Sequence, residues 1–346
     1  MTVLETSLAG LTVGIPVTHA NLTMVPLLGG AAGEPAYLTL GEALAAGQAC
    51  VTEVSEQGSV PELKFVNGAA RPVLLLDGEE LVGAKQNRIV NLSILVAAAS
   101  ELVIPVSCVE AGRWRHESTA FATAERAHFA RGRARKLADV SSSLADNGSR
   151  RSDQGAVWEE ISLKASRMQA ESSTAAAAAM YEANAKRLDA FVLAMPPAAE
   201  QCGAAFAING RLVGLDVFDA RATFAKQAKT LVTSYALDAI DESAADAPAA
   251  QDADCRTLLG DVLRADCRAF KAIGLGEDLR LAGSGIKGAA LAADGRLVHL
   301  CAFREDAGEM QAGNGAGSRM VRASRRSSFT GACPNWRDGA RARCRQ

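Results

Sequence analysis

The chain has 346 residues, of which 49% are hydrophobic, 22% charged and only 5% aromatic. That balance excludes wholesale disorder and predicts an aliphatic core in one large domain or two ordinary ones. A formal net charge of −2 excludes a polyanion binder by bulk charge, and no apolar run reaches the roughly 18 residues of a membrane span. The first residues, Met1-Thr2-Val3-Leu4-Glu5, carry neither a basic nor an apolar signal region, so a cytoplasmic location is expected. The eight cysteines have irregular spacing and form no CxxC pair. They read as small buried hydrophobes, not as a disulfide framework or a zinc site; no ligand spacing demands a metal, although Glu80 and Asp153 could hold Mg²⁺, and the cofactor is left open.

Residues 1–110 read as mostly antiparallel strand. Apolar runs at 11–17, 50–54, 72–76, 91–96 and 102–106 are bounded by Gly, Asn, Ser and Pro. One short helix is expected near 40–46. Several strands with no long helix suggest a sandwich-like or partly closed sheet. Residues 111–151 hold nine Lys or Arg against four acids, a local charge of +5. This stretch reads as a basic arm or loop, either solvated or laid over an anionic ligand or nucleic acid.

Helices are expected over 152–197, with Ser152 as N-cap and an apolar face of Val157, Trp158, Ile161, Ala165 and Met168. The second of them ends before Pro196-Pro197. Hairpins are predicted at Asn209-Gly210 and Asp294-Gly295, the dipeptides that two-residue turns with positive φ prefer. Helices near 222–240 and 255–273 lie between them. Residues 203–218 (GAAFAINGRLVGLDVF) and 288–303 (GAALAADGRLVHLCAF) match at ten of sixteen positions. Two like units packed side by side in one helix-backed sheet are expected, which makes the fold class α+β. Residues 305–346 carry eight arginines against four acids and no periodicity. They read as a disordered basic tail that binds nucleic acid, or as the product of a frame change near the natural stop.

The densest chemistry falls between residues 77 and 114. In Asp77-Gly78-Glu79-Glu80-Leu81-Val82-Gly83-Ala84-Lys85-Gln86-Asn87-Arg88 an acidic pair precedes a basic and amide cluster. Glu79 or Glu80 suits a general base or an acceptor of ribose hydroxyls. Lys85, Gln86, Asn87 and Arg88 suit an anionic ligand, with Arg88 as a fork for phosphate or carboxylate. The same groups also fit a polar turn with an internal Glu–Arg pair. Cys108 stands at a strand end and is a nucleophile only if Arg113 or His116 lowers its pKa. Trp114 offers a flat face beside Arg113, for a base or for the core. Arg150 and Arg151 precede a helix start at Ser152-Asp153-Gln154, where an anion or an ordinary cap is equally served. Gly274-Leu275-Gly276 lies between helix and strand, the wrong order for a dinucleotide loop. Asp216 and Asp219 sit beyond the first hairpin and fit either the acidic set or a solvated strand end.

The strings LLLDGEELVGAKQNR (74–88), IPVSCVEAGRW (104–114), RSDQGAVW (151–158), AINGRLVGLDVFD (207–219) and GLGEDLRL (274–281) occur in this order. Together they resemble a bacterial family named for association with ADP-ribosylglycohydrolases and rhodanese-like phosphatases, over about residues 10–304. The resemblance implies a place in ADP-ribose or NAD-linked nucleotide metabolism, or in prokaryotic conflict systems. It names no reaction.

Two readings follow. In the first, the protein binds or processes, by hydrolysis or group transfer, an anionic nucleotide-derived ligand. Glu80, Glu79 and Asp153 are then the catalytic candidates. Arg88, Arg113 and Arg151 clamp phosphates, Trp114 stacks on the base, and Gln154 joins the amide set. In the second, the protein is a non-catalytic interaction module whose arm, through Arg133 and Lys136, docks a protein or nucleic acid. Convergence of Glu80, Arg88, Arg113 and Asp153 around one cavity separates the two.

Overall fold

The computed structural model describes residues 2–56, 58–115, 118–243 and 249–305. His116 and the basic tail beyond 305 lie outside the described residues. Helix α1 (Val3–Ala9) leads into strands β1 (Thr12–Val13), β2 (Val17–His19) and β3 (Leu22–Leu28). Next come β4 (Leu38–Thr39), α2 (Leu40–Ala45), β5 (Ala49–Glu53), β6 (Glu62–Asn67), β7 (Val73–Leu75), β8 (Glu79–Gly83), β9 (Arg88–Val90), β10 (Ile94–Val96), β11 (Ser100–Cys108) and β12 (Phe121–Ala127). Helices α3 (Ala130–Asn147), α4 (Gln154–Arg167), α5 (Ala178–Ala183) and α6 (Ala185–Ala194) follow. The chain closes with β13 (Gln201–Ile208), β14 (Arg211–Phe218), α7 (Arg221–Asp241), α8 (Asp252–Arg264), β15 (Asp266–Lys271), β16 (Glu277–Gly283), β17 (Ile286–Ala293) and β18 (Arg296–Arg304).

The fold is α+β. Of the sandwich-like and partly closed sheets expected for the N-terminal strands, the closed one is nearer: β11-β6-β5-β12-β8-β9 form a barrel. Full closure leaves no exposed strand edge, which a short-stranded sheet otherwise has to protect. Alternation along each strand sends Val51, Leu63, Phe65, Leu81, Val90 and Ile104 into the lumen, where they form one apolar cluster. A small sheet, β10-β7-β4, adds Val73, Leu75, Ile94 and Val96 to that cluster.

The large sheet runs β1-β3-β13-β14-β18-β17-β16-β15, with β2 also paired to β3. The two similar hairpins are neighbours in it, because β14 pairs with β18. Both turns have positive φ at each central residue: Asn209 (51°) and Gly210 (74°), Asp294 (50°) and Gly295 (71°). That is the geometry their dipeptides favour. Helix α7 backs this sheet, and Tyr235 stacks on Phe206 with ring centroids 4.0 Å apart.

Several local expectations change. The stretch 111–151 is not an arm, since it supplies barrel strand β12 and the 18-residue helix α3. On α3, Arg133 and Lys136 share the buried stripe of Leu137, Val140 and Leu144. Both charged side chains are fully buried, so neither is available to dock a partner. The segment expected as a helix over 255–273 divides into α8 and the edge strand β15. Asp153 rather than Ser152 is the N-cap of α4, accepting from the Ala156 amide at 3.1 Å. Ser152 instead meets Ser107, hydroxyl to hydroxyl, at 2.5 Å. Strands β1–β3, from the N-terminal stretch, belong to the large sheet, and residues 1–305 form a single unit. No described helix is long and apolar enough to cross a membrane.

Candidate functional site

One end of the barrel lumen is polar. Arg88 is two residues from Val90 and Glu53 two from Val51, so alternation turns both side chains inward. Cys108 stands directly across from Arg88 in the β9–β11 ladder, in phase with Val106 and Ile104. The β8–β9 connection brings Lys85 and Gln86 to the same end. Trp114 lies beside them with its ring 48% exposed. The Lys85 ammonium is 5.5 Å and the Arg88 guanidinium 5.6 Å from the centre of that ring.

Arg88 has no solvent-exposed surface, yet its hydrogen bonding is incomplete. Nη1 donates to Gln86 Oε1 at 3.1 Å. Nε and Nη2 are buried and have no hydrogen-bond partner among the described residues. These two atoms form the side edge of the guanidinium, the edge that meets a carboxylate or phosphate with two parallel bonds. Leaving buried charged donors unmade costs about 1–3 kcal/mol each or more. Glu53 Oε2 is likewise buried without a hydrogen-bond partner among the described residues.

The frame around these groups is rigid. Arg113 donates from Nε to Glu110 Oε2 (2.8 Å), from Nη1 to the Ala84 carbonyl (3.0 Å) and from Nη2 to Asn87 Oδ1 (2.9 Å). Asn87 Oδ1 also accepts from the Gly83 amide at 3.2 Å, so one side chain ties both ends of the connection. Glu110 accepts from Thr174 as well, at 2.7 Å. Burial alone raises the Glu110 pKa, but the hydrogen bonds from Arg113 and Thr174 outweigh it and hold the carboxyl below its ordinary value. Gln154, at the start of α4, brackets Cys108: its Oε1 accepts from the Cys108 amide (2.7 Å) and its Nε2 donates to the Cys108 carbonyl (2.9 Å). Arg113, Gln154 and the Asn87 side-chain oxygen are therefore engaged within the protein and shape the site.

Burial pushes the Cys108 thiol up to about 11, with Arg88 opposing that rise only in part. The thiol is protonated at neutral pH, which removes the basis for a resting thiolate nucleophile. Burial also lowers the Arg88 pKa, countered by Cys108 and Glu53.

The other candidates lie elsewhere. Glu80 faces out of the barrel, where Arg126 grips it through Nε (2.6 Å) and Nη2 (3.0 Å). Its neighbour Glu79 points inward at the opposite end of β8, accepts from the Leu76 amide at 3.1 Å, and is pushed up to about 7 by burial. Asp153 caps α4. Arg151 is 63% exposed and lies 3.8 Å from Glu62. Arg88 and Arg113 thus share one end of the barrel, whereas Glu80 and Asp153 do not join them. The reason is geometric: adjacent strand residues face opposite sides, and an N-cap carboxylate is held by its own helix.

A second polar centre escaped the sequence reading. Asp216, on β14, accepts from Arg133 Nη2 (2.6 Å) and Nη1 (3.1 Å) and from the Tyr235 hydroxyl (3.1 Å). His299 Nε2 lies 3.2 Å from Asp216 Oδ1, and its Nδ1 lies 2.8 Å from Ser93 Oγ. Asp77 joins through Arg133 Nε (3.2 Å) and through the Lys136 ammonium. The order serine, histidine, aspartate follows that of a nucleophile, its base and an orienting carboxylate. The adjoining cavity measures about 10 Å³, room for about one water and for no substrate. Asp216 is saturated by its four bonds. This series of bonds joins α3, the barrel connection and the large sheet. The signal for it was the alignment of Arg133 and Lys136 with the apolar stripe of α3.

Neither curated proteins nor solved structures include a match to this chain. The family model described as ARG and Rhodanese-Phosphatase-superfamily-associated Protein domain, ARPP-1, matches residues 10–303. That span contains the barrel, the large sheet and both polar centres, and the chain belongs to this family.

Proposed function

We propose that the polar end of the barrel binds an anionic nucleotide-derived ligand of the ADP-ribose or NAD-related class. One observation carries the reading: a fully buried arginine keeps its two-donor edge unbonded beside a half-exposed tryptophan. An oxyanion satisfies both donors at once, and the tryptophan face suits a base. Lys85 adds a second positive charge at the same ring. The association recorded in the family name supports the ADP-ribose theme.

The reading is one of binding first. Glu80 and Asp153 are engaged in a salt bridge and a cap, so hydrolysis or group transfer would need a different acid or base. The interaction-module reading loses its main support, because Arg133 and Lys136 are inside the core.

The test is thermal shift on the full chain with ADP-ribose, NAD, cyclic ADP-ribose, nucleoside phosphates and simple sugars, each with and without Mg²⁺. A ligand at a hundred times its Kd adds roughly 2.7 kcal/mol, a shift of at least a few degrees. One nucleotide class is expected to raise the Tm of the wild type and not that of a folded Arg88→Lys variant. A flat panel, or an equal shift in the variant, overturns the reading.

A further inference from the structure

The barrel end holds a second unused group, the Glu53 carboxylate. Among the described residues its Oε1 accepts one long bond, from the Lys85 amide at 3.4 Å. Its Oε2 is buried and unbonded among the described residues. Lys85 Nζ donates to the Glu56 carbonyl at 2.6 Å and is not hydrogen-bonded to Glu53 among the described residues. Gly58 keeps the approach narrow: a Cβ there would sit 3.3 Å from Glu53 Oε2 and 3.2 Å from Lys85 Cδ. Its φ of +75° is one that glycine adopts without strain.

A carboxylate with one buried oxygen and a fully buried guanidinium share this end of the lumen, with no hydrogen bond between them among the described residues. Each has its free edge available to a third party. A simple anion satisfies Arg88 but repels Glu53. A ligand that satisfies both presents an oxyanion to the arginine and an O–H donor to the carboxylate.

We infer that the site selects a sugar phosphate, with the phosphoryl oxygens on the Nε and Nη2 edge of Arg88 and a sugar hydroxyl donated to Glu53 Oε2. The inference rests on the binding reading above and adds a specificity residue to it. In this arrangement Glu53 takes the role of hydroxyl acceptor that the sequence suggested for Glu79 or Glu80. It also disfavours phosphates without a neighbouring donor, since these leave the buried Glu53 Oε2 without a hydrogen bond.

The experiment is calorimetric titration of the full chain with ribose 5-phosphate and with methyl phosphate, which has no hydroxyl. Wild type is expected to prefer ribose 5-phosphate by about tenfold to a hundredfold, the value of one hydrogen bond to a charged group. Glu53→Ala loses that preference and binds methyl phosphate as well as wild type or better, because a repelling charge is gone. If Glu53→Ala does not fold, the isosteric Glu53→Gln is used, and its preference falls several-fold. An unchanged preference in a folded Glu53 variant overturns the role of Glu53 while leaving anion binding intact. Failure of both phosphates to bind wild type, or equal binding by a folded Arg88→Lys variant, overturns both readings.

Discussion

Replacing Asp216 by asparagine perturbs a carboxylate that accepts four hydrogen bonds among the described residues. Asp216 has no exposed surface and accepts from both terminal nitrogens of Arg133, from Tyr235 and from His299. A carboxylate accepts at both oxygens, whereas an asparagine side chain turns an N–H₂ toward one set of these donors. It also leaves a buried guanidinium with only Asp77 as counter-charge. Breaking one side of a buried pair costs about 3–5 kcal/mol. At about 2.1 cal/mol/K of unfolding entropy per residue, that lowers Tm by about 5–8 °C for the unit formed by residues 1–305. Burial by itself raises the Asp216 pKa, but the Arg133 guanidinium and the His299 contact outweigh it and hold the carboxyl far below the usual range. A depressed folded-state pKa contributes stability that is present above the unfolded value of about 3.9 and is lost as pH falls below it toward the folded value. Wild type therefore loses stability steeply below about pH 4, and Asp216→Asn loses less over the same window. Urea unfolding at pH 7 and pH 3 measures both effects. A variant that melts within about 2 °C of wild type at pH 7 refutes a stapling role for this centre.

Other outcomes follow from the same geometry. Alkylation of the native chain at pH 7.5, mapped by mass spectrometry, is expected to label exposed Cys50 and Cys267 and to spare buried Cys108, Cys202, Cys255 and Cys301 until denaturation; rapid labelling of Cys108 contradicts a protonated, buried thiol. Burial lifts Glu79 to about 7, so its protonated form favours the folded state; that contribution is present below the unfolded value of about 4.3 and is lost as pH rises to about 7. Glu79→Gln should then gain a few kcal/mol over wild type at pH 8 and little at pH 4 in denaturant titrations, and equal gains at both pH values argue against this assignment. Gln154→Ala removes both bonds to the Cys108 backbone and is expected to cost about 1–3 kcal/mol, read as a lowered urea midpoint. Trp114→Ala should leave Tm nearly unchanged, because its ring is half exposed, and weaken nucleotide binding by about 1–3 kcal/mol; undiminished affinity removes the stacking role.

The amino-acid sequence by itself determined the local features whose chemistry is local. Asn209-Gly210 and Asp294-Gly295 set positive φ at adjacent residues, and both hairpins form there. Most apolar runs bounded by turn residues contain strands, and the helical spacing of Val157, Trp158, Ile161 and Ala165 falls in α4. The string 77–88 stood out in the sequence for its density of polar groups, and of these Lys85, Gln86 and Arg88 stand at the polar barrel end while Glu79 and Glu80 do not. Tertiary structure decided the rest. Closure of the barrel is a pairing between β11 and β9 and between β12 and β8, contacts that no local period encodes. It sends Glu53 and Arg88 into the same lumen from positions 35 residues apart, and it turns Glu80 outward toward Arg126. The basic stretch 111–151 showed the limit most plainly. Its charge predicted a solvated arm, yet Arg133 and Lys136 are buried because Asp77 and Asp216, remote in sequence, supply the counter-charges. A charged residue is placed by the partner that compensates it, and that partner is known only once the chain has folded.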